Sequence, residues 1–150
     1  IENQKQEESV VYFFNKNINF FNENNIKIIF ESDLPPKKLT NFIEKFDNSI
    51  FGINYDTGNS ASLGYDSFEE IHSYGNRILN VHIKDRELNG TTVELGKGNT
   101  DFNMIFSQLK KISYDGNFIL QTARAIDNNH KEVLLKYYKM TNEWIKKYSL

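Results

Sequence analysis

Glu31, Asp56, His82 and Gln121 each close a short hydrophobic run: Ile28-Ile29-Phe30-Glu31, Phe51-Gly52-Ile53-Asn54-Tyr55-Asp56, Ile78-Leu79-Asn80-Val81-His82 and Phe118-Ile119-Leu120-Gln121. Successive members lie 25, 26 and 39 residues apart. About 25 to 40 residues is the length of a strand, its crossover helix and the return to the next parallel strand. Each side chain therefore falls at the same end of a successive strand. Three oxygen donors and one imidazole nitrogen gathered at one rim suit a divalent cation: Mn²⁺, Mg²⁺, Co²⁺ or Zn²⁺. One acid at one strand end is ordinarily structural or solvated. Its recurrence on four consecutive strands marks a site.

The elements that must position these residues follow from hydrophobic periodicity. Val10, Phe13, Phe14, Ile18 and Phe21 make one apolar stripe over a helix from about Gln4 to Glu23, ended by Asn24-Asn25. Strand Ile26–Ser32 follows. Pro35-Pro36 stands in the first turn of a helix bearing Leu39, Phe42, Ile43 and Phe46. After strand Phe51–Asp56, Ser67-Phe68-Glu69-Glu70 has the form of a capping box for a short helix through Ile71 and Tyr74. Strand Ile78–Lys84 leads into a loop with Gly90, Gly96 and Gly98, and Thr100 is the expected N-cap of a helix through Ile112. Strand Phe118–Ala123 and a last helix from Leu134 to Tyr148 complete the order α-βα-βα-βα-βα, which predicts a parallel sheet covered by helices.

Parity along the strands sharpens this. Side chains two apart share a face, so Glu31 goes with Ile29, Asp56 with Asn54, His82 with Asn80 and Lys84, and Gln121 with Ile119. The opposite set is apolar throughout: Ile28, Phe30, Ile53, Tyr55, Leu79, Val81, Ile83, Phe118 and Leu120. That set is expected to meet the helices, and the first to face a barrel lumen below its catalytic rim.

At 150 residues the chain suffices for one domain with its own core. A net charge of −2 argues against nucleic acid, whose binders carry a basic excess. No apolar stretch approaches the ~18 residues of a membrane span, and none reads as a signal peptide. The absence of cysteine excludes disulfides and thiolate ligands and fits a cytoplasmic protein. The chain starts at Ile1 and opens in a helix-like segment that needs something to pack on, which reads as part of a longer polypeptide.

Glu31, Tyr55-Asp56-Thr57-Gly58-Asn59, Val81-His82-Ile83-Lys84-Asp85-Arg86, Leu95-Gly96-Lys97-Gly98-Asn99-Thr100-Asp101-Phe102 and Gly116-Asn117-Phe118-Ile119-Leu120-Gln121 occur in that order. Together they resemble the C-terminal half of the xylose isomerase-like TIM barrels, in the sugar and sugar-phosphate isomerase/epimerase branch, over residues 26–148. The resemblance implies an α/β fold of parallel βα units, with only the last four strands of a barrel of ~250 residues present. Residues 1–150 would be the last helix of the first half plus strands five to eight. It also implies a divalent metal held by Glu31, Asp56, His82 and Gln121, and a sugar or sugar-phosphate substrate. A missing N-terminal half or a second copy would complete the barrel. The family usually has glutamate at the place of Gln121, and many members have histidine at that of Asn59. Glutamine can ligate through its carbonyl oxygen but takes no proton, which favours aldose–ketose isomerisation or a single-base reaction over two-base epimerisation.

The implied chemistry is proton transfer beside a carbonyl, in which a cation stabilises the enediolate and a placed carboxylate carries the proton. Glu31 is then ligand and base. Lys84 polarises a substrate oxygen or holds a phosphate, Asn59 bonds a hydroxyl, and Arg86 and Arg124 are further anion binders. Residues 96–100 lead into a helix N-terminus where backbone N–H groups can receive phosphate, if they are not simply a turn and cap. Asp85 reads as a loop anchor, His72 and His130 as surface residues, the last helix's aromatic stripe with Trp144 as core, and Asn54 and Asn80 as supports behind the ligands.

Two rivals stand. Endonuclease IV-type nucleases use the same barrel and resemble the stretch from Asp56-Thr57 to Gly64-Tyr65-Asp66, but they need a zinc cluster with more histidines, and residues 86–98 contain none. The other rival is a non-catalytic sugar-binding or vestigial half barrel that needs a partner half, because Ile26–Ser32 would leave an unpaired parallel edge.

Overall fold

A computed structural model describes residues 3–150. Helices α1 (Gln4–Lys16) and α2 (Ile18–Glu23) lead into β1 (Ile28–Phe30), α3 (Pro36–Ile43) and β2 (Phe51–Asp56). Two short helices, α4 (Thr57–Leu63) and α5 (Ser67–Tyr74), precede β3 (Ile78–Ile83). A small hairpin of β4 (Asp85–Arg86) and β5 (Thr92–Val93), then α6 (Phe102–Lys111), β6 (Asn117–Leu120) and α7 (His130–Tyr148), complete the chain. The main sheet runs β1-β2-β3-β6 with every pair parallel, as the strand spacing required. Among the described residues it is an open array of four parallel strands with helices against one face, matching half of a TIM barrel.

The helix-facing side is a continuous core. Phe51 is fully buried among the rings of Phe14, Phe21, Phe30 and Phe46, at centroid distances of 5.1–6.1 Å. Farther along, Ile53, Tyr55, Val81 and Ile83 belong to the same buried cluster as Ile105, Phe106 and Leu109 of α6. Trp144 stacks on Phe102 at 4.3 Å. The other face is open on the two outer strands, where Ile29 is 43% and Ile119 47% exposed, while Asn54 and Asn80 between them are buried. Parallel sheets normally have both faces covered.

Several expectations change. The single N-terminal helix breaks at Asn17, whose side-chain amide donates to Phe13 O and whose backbone N–H turns to the Phe14 carbonyl, a side chain competing with the helix ladder. Strands β1 and β6 are shorter than expected, so Glu31 and Gln121 lie one residue past their ends. Leu79 does not meet the helices. Ile53 pairs with Ile78 but Asn54 pairs with Asn80, so β3 bulges at Leu79. The bulge sends Leu79 over Gly52, whose absent side chain leaves the space, and it is 37% exposed. Helix α5 is capped by Asp66 rather than Ser67, and α6 by Asp101 rather than Thr100. Each aspartate accepts an N–H two places into its helix's first turn, and carboxylates also suit the positive end of the helix dipole. In α7, Tyr137 is core, but Leu134 and Tyr138 are exposed.

Helix α4 was not foreseen. Thr57-Gly58-Asn59-Ser60 has no apolar stripe; the helix starts because the Asp56 carboxylate accepts the Asn59 N–H at 2.8 Å. No helix among the described residues is long and apolar enough to cross a membrane.

Candidate metal centre

The strand ends bring three of the four expected donors together. Glu31, Asp56 and His82 each offer a ligand atom, all within 4.8 Å of one another. His82 Nδ1 lies 3.4 Å from Glu31 Oε2 and 3.7 Å from Asp56 Oδ2. Each carboxylate is divided between scaffold and site. Asp56, almost fully buried, uses Oδ1 to cap α4 and turns Oδ2 to the cluster. Glu31 turns Oε2 to His82 and the Asn54 amide, while Oε1 accepts from Asn59 Nδ2 at 3.3 Å. Two carboxylates and an imidazole are a donor set that fits a divalent cation and leaves positions free for substrate oxygens.

Asn54 and Asn80 support this arrangement. Asn80 Nδ2 donates to Asn54 Oδ1 at 2.6 Å, which aims the Asn54 amide at Glu31 and at His82 Nδ1, 3.1 Å away.

Gln121 is linked to the three through Lys84. Its Oε1 accepts from Lys84 Nζ at 2.9 Å, and the same ammonium lies 3.4 Å from Asp56 Oδ2. Lys84 is well placed because its backbone is clamped: Thr57 Oγ1 donates to its carbonyl at 2.6 Å and accepts its N–H at 3.0 Å. Its stem crosses Gly58, where a Cβ would sit 2.6 Å from Lys84 Cγ. Gly58→Ala is therefore expected to displace Lys84 and to cost about 1–3 kcal/mol of stability by overpacking, read by urea denaturation.

Arg86 reaches the rim but not as a free anion binder. Its Nη1 donates to Asn59 Oδ1 at 2.9 Å, and its Nε and Nη2 donate to the Gly90 carbonyl. Arg124 is exposed and lines a separate groove with Gln121, Ala125 and His130. The glycine-rich loop does not present free donors to a phosphate. The N–H groups of Gly96, Gly98 and Thr100 all point at the buried Asp85 carboxylate, at 2.8, 2.9 and 3.1 Å. Asp85 is the loop anchor, and the chain's own anion fills the cradle.

Sequence reasoning missed Glu70, which it placed only in a helix cap. Glu70 is 2% exposed and accepts from Tyr55 Oη at 2.9 Å, Ser60 Oγ at 2.7 Å and Tyr74 Oη at 2.8 Å. No local pattern announces it, since its partners come from three elements. Burial pushes its carboxyl above the ordinary glutamate range, with the Asp66 charge adding to the shift, against the three hydroxyl donors. The Tyr55 and Tyr74 phenols are pushed up as well, first by burial and then by the Glu70 charge, and remain protonated donors. A carboxyl raised in the folded state contributes stability that is full below its unfolded pKa and is lost as pH rises through the folded one. Stability is thus expected to fall from about pH 4.3 upward through that window, and Glu70→Gln to remove the fall, as followed by melting temperature against pH.

A family model described as xylose isomerase-like TIM barrel matches residues 2–147. The chain is 30% identical over 127 residues to an inosose dehydratase of Geobacillus kaustophilus, covering 73% of this chain and 40% of that protein. Its fold superposes with a TM-score of 0.82 on a xylose isomerase domain protein from Planctomyces limnophilus, at 20% identity over 95% of this chain and 55% of the other. It superposes with a TM-score of 0.77 on the IolI protein with a bound zinc atom, at 18% identity over 95% and 57%. The chain spans 39% and 40% of the length of the curated relatives it matches.

Proposed function

This chain belongs to the xylose isomerase-like TIM barrel family, and we propose that it supplies the metal-binding half of a divalent-metal-dependent isomerase acting on a sugar or sugar phosphate. The observation that carries the proposal is the convergence of Glu31, Asp56 and His82 within 4.8 Å at the carboxyl ends of adjacent parallel strands. The zinc atom of the IolI structure and the inosose dehydratase relative support a metal and a polyhydroxylated substrate.

In this reading residues 1–150 are the last helix of a first half plus strands five to eight, and a further half barrel covers the open lumen. Glu31, Asp56 and His82 would hold the cation, with the Gln121 carbonyl oxygen as a fourth donor once Lys84 turns to substrate. A bound divalent cation supplies the positive charge that polarises a carbonyl and its neighbouring hydroxyl. Glu31, the most open of the three with a side chain 40% exposed, moves the proton at its Oε1. Asn59, between Glu31 and Arg86, bonds a substrate hydroxyl, and Lys84 Nζ holds a substrate oxygen. Arg86 and Arg124 remain secondary contacts for a phosphate that approaches from the rim.

The test has two stages. Elemental analysis of the purified chain is expected to find near-stoichiometric Mn, Mg, Co or Zn, and sugars incubated with the loaded protein in D₂O are expected to gain deuterium beside the carbonyl. A chain that takes up no metal, even when it is supplied, sinks the proposal. A second reading, a non-catalytic sugar-binding half barrel, is favoured by the open lumen at Ile29 and Ile119. It predicts metal uptake without deuterium exchange.

A further inference from the structure

Glu70 is a buried ionisable group that the proposed chemistry does not use, and its contacts lead toward the metal cluster. We infer that Glu70 is a positioning residue that holds Glu31 in place through Ser60 and Asn59, an inference that rests on the metal-site reading above. Helix α4 has seven residues, too few to hold its own geometry. Thr57 and Ser62 tie its two ends to Lys84 and Gly90, and two further ties bear on Asn59 and its neighbour. The Asp56 carboxylate accepts the Asn59 N–H at 2.8 Å, and the Glu70 carboxylate accepts Ser60 Oγ, one residue on, at 2.7 Å. Glu70 is itself fixed from two other sides, by Tyr55 Oη of β2 and Tyr74 Oη of α5. Tyr55 lies between Asn54 and Asp56 in β2 and faces the core, whereas those two face the cluster.

The anchored turn presents Asn59. Its side-chain oxygen accepts from Arg86 Nη1 at 2.9 Å, and its side-chain amide donates to Glu31 Oε1. Glu31 lies past the end of a three-residue edge strand, and among the described residues its carboxylate accepts hydrogen bonds from the Asn54 and Asn59 amides. Loosening α4 therefore frees one of two restraints on a metal ligand. Outer supports of this kind typically alter metal affinity by about 10–100-fold.

The full chain is compared with Ser60→Ala, Glu70→Leu and Glu70→Gln by two readouts: Co²⁺ affinity by calorimetry, and the Asn59 side-chain amide signal by NMR without metal. Ser60→Ala and Glu70→Leu are expected to weaken Co²⁺ binding by about tenfold and to shift and broaden the Asn59 signal. Glu70→Gln is expected to restore both, because its carbonyl can still accept from Ser60 and Tyr74 while its amide donates to Tyr55 Oη. Ser60→Ala removes one hydroxyl and keeps the core intact, so it decides the matter even if Glu70→Leu does not fold. Parent-like Co²⁺ affinity in Ser60→Ala overturns the inference. A parent that binds no Co²⁺ overturns the metal reading instead, and the Asn59 signal alone then decides whether Glu70 acts through Ser60.

Discussion

His82→Ala is expected to abolish tight metal binding while leaving the fold intact, the largest functional effect of any single change in this chain. His82 is the only nitrogen donor in the cluster, and its ring is held between Glu31 Oε2 and Asp56 Oδ2. Removing it leaves two carboxylates, one of them nearly buried, with no neutral ligand between them. Supports behind a ligand are worth 10–100-fold in affinity, so loss of the ligand itself is expected to cost at least about 1000-fold. Stability should hold, because the side chain of His82 faces the open lumen while its neighbours Val81 and Ile83 make the core. Titration with Zn²⁺ or Co²⁺ beside thermal melting separates the two outcomes. Parent-like affinity in His82→Ala would show that the cluster is not the metal site. Glu31→Gln is the milder companion: it keeps the shape and an oxygen, and loses the charge and the proton carrier.

Asp85→Ala is expected to be the most destabilising change at the rim. Its carboxylate is fully buried and satisfies three backbone donors, at Gly96, Gly98 and Thr100. Alanine would strand all three. A buried donor without a partner costs about 1–3 kcal/mol, so a loss of roughly 3–5 kcal/mol is expected, a large share of the 5–15 kcal/mol typical of a domain. Asp85→Asn should fall between. An asparagine oxygen at the Oδ2 position keeps Gly96 and Gly98, and its amide opposes the Thr100 N–H. Urea denaturation orders the three proteins, and hydrogen exchange at Gly96 and Gly98 reports whether the loop opens first. Equal stability in all three would show that the loop is held by other contacts. Because Arg86 pairs with Asn59 from the same hairpin, the alanine variant should also loosen the Asn59 side of the metal cluster.

The strand order and the three-residue cluster were legible in the chain because both are periodic quantities. Spacing of 25 and 26 residues between Glu31, Asp56 and His82 leaves room for one crossover each, and parallel strands then bring their carboxyl ends to one rim. Alternation separated Asn54, Asp56, Asn80 and His82 from Ile53, Tyr55, Val81 and Ile83: the second set joins the hydrophobic core and the first bonds across the cluster, although Asn54, Asp56 and Asn80 are buried as well. Alternation failed at Leu79, where a bulge inserts one residue and moves the side chain to the lumen side.

What only the tertiary structure decided is which donor meets which acceptor when several are within reach. Asp85 takes the glycine-loop amides that a phosphate would otherwise find, Lys84 holds the Gln121 oxygen, and Arg86 is spent on Asn59 and Gly90. Asp56 serves as helix cap and candidate ligand together, and Glu70 binds hydroxyls from β2, α4 and α5. Such pairings depend on distances of a few ångströms between segments far apart in the chain, and a hydrogen bond leaves no period to read. The sequence by itself determined the parallel scaffold and the candidate ligands placed at its strand ends; the fold alone decided how those side chains and their neighbours are held, because that competition is settled only once the strands are side by side.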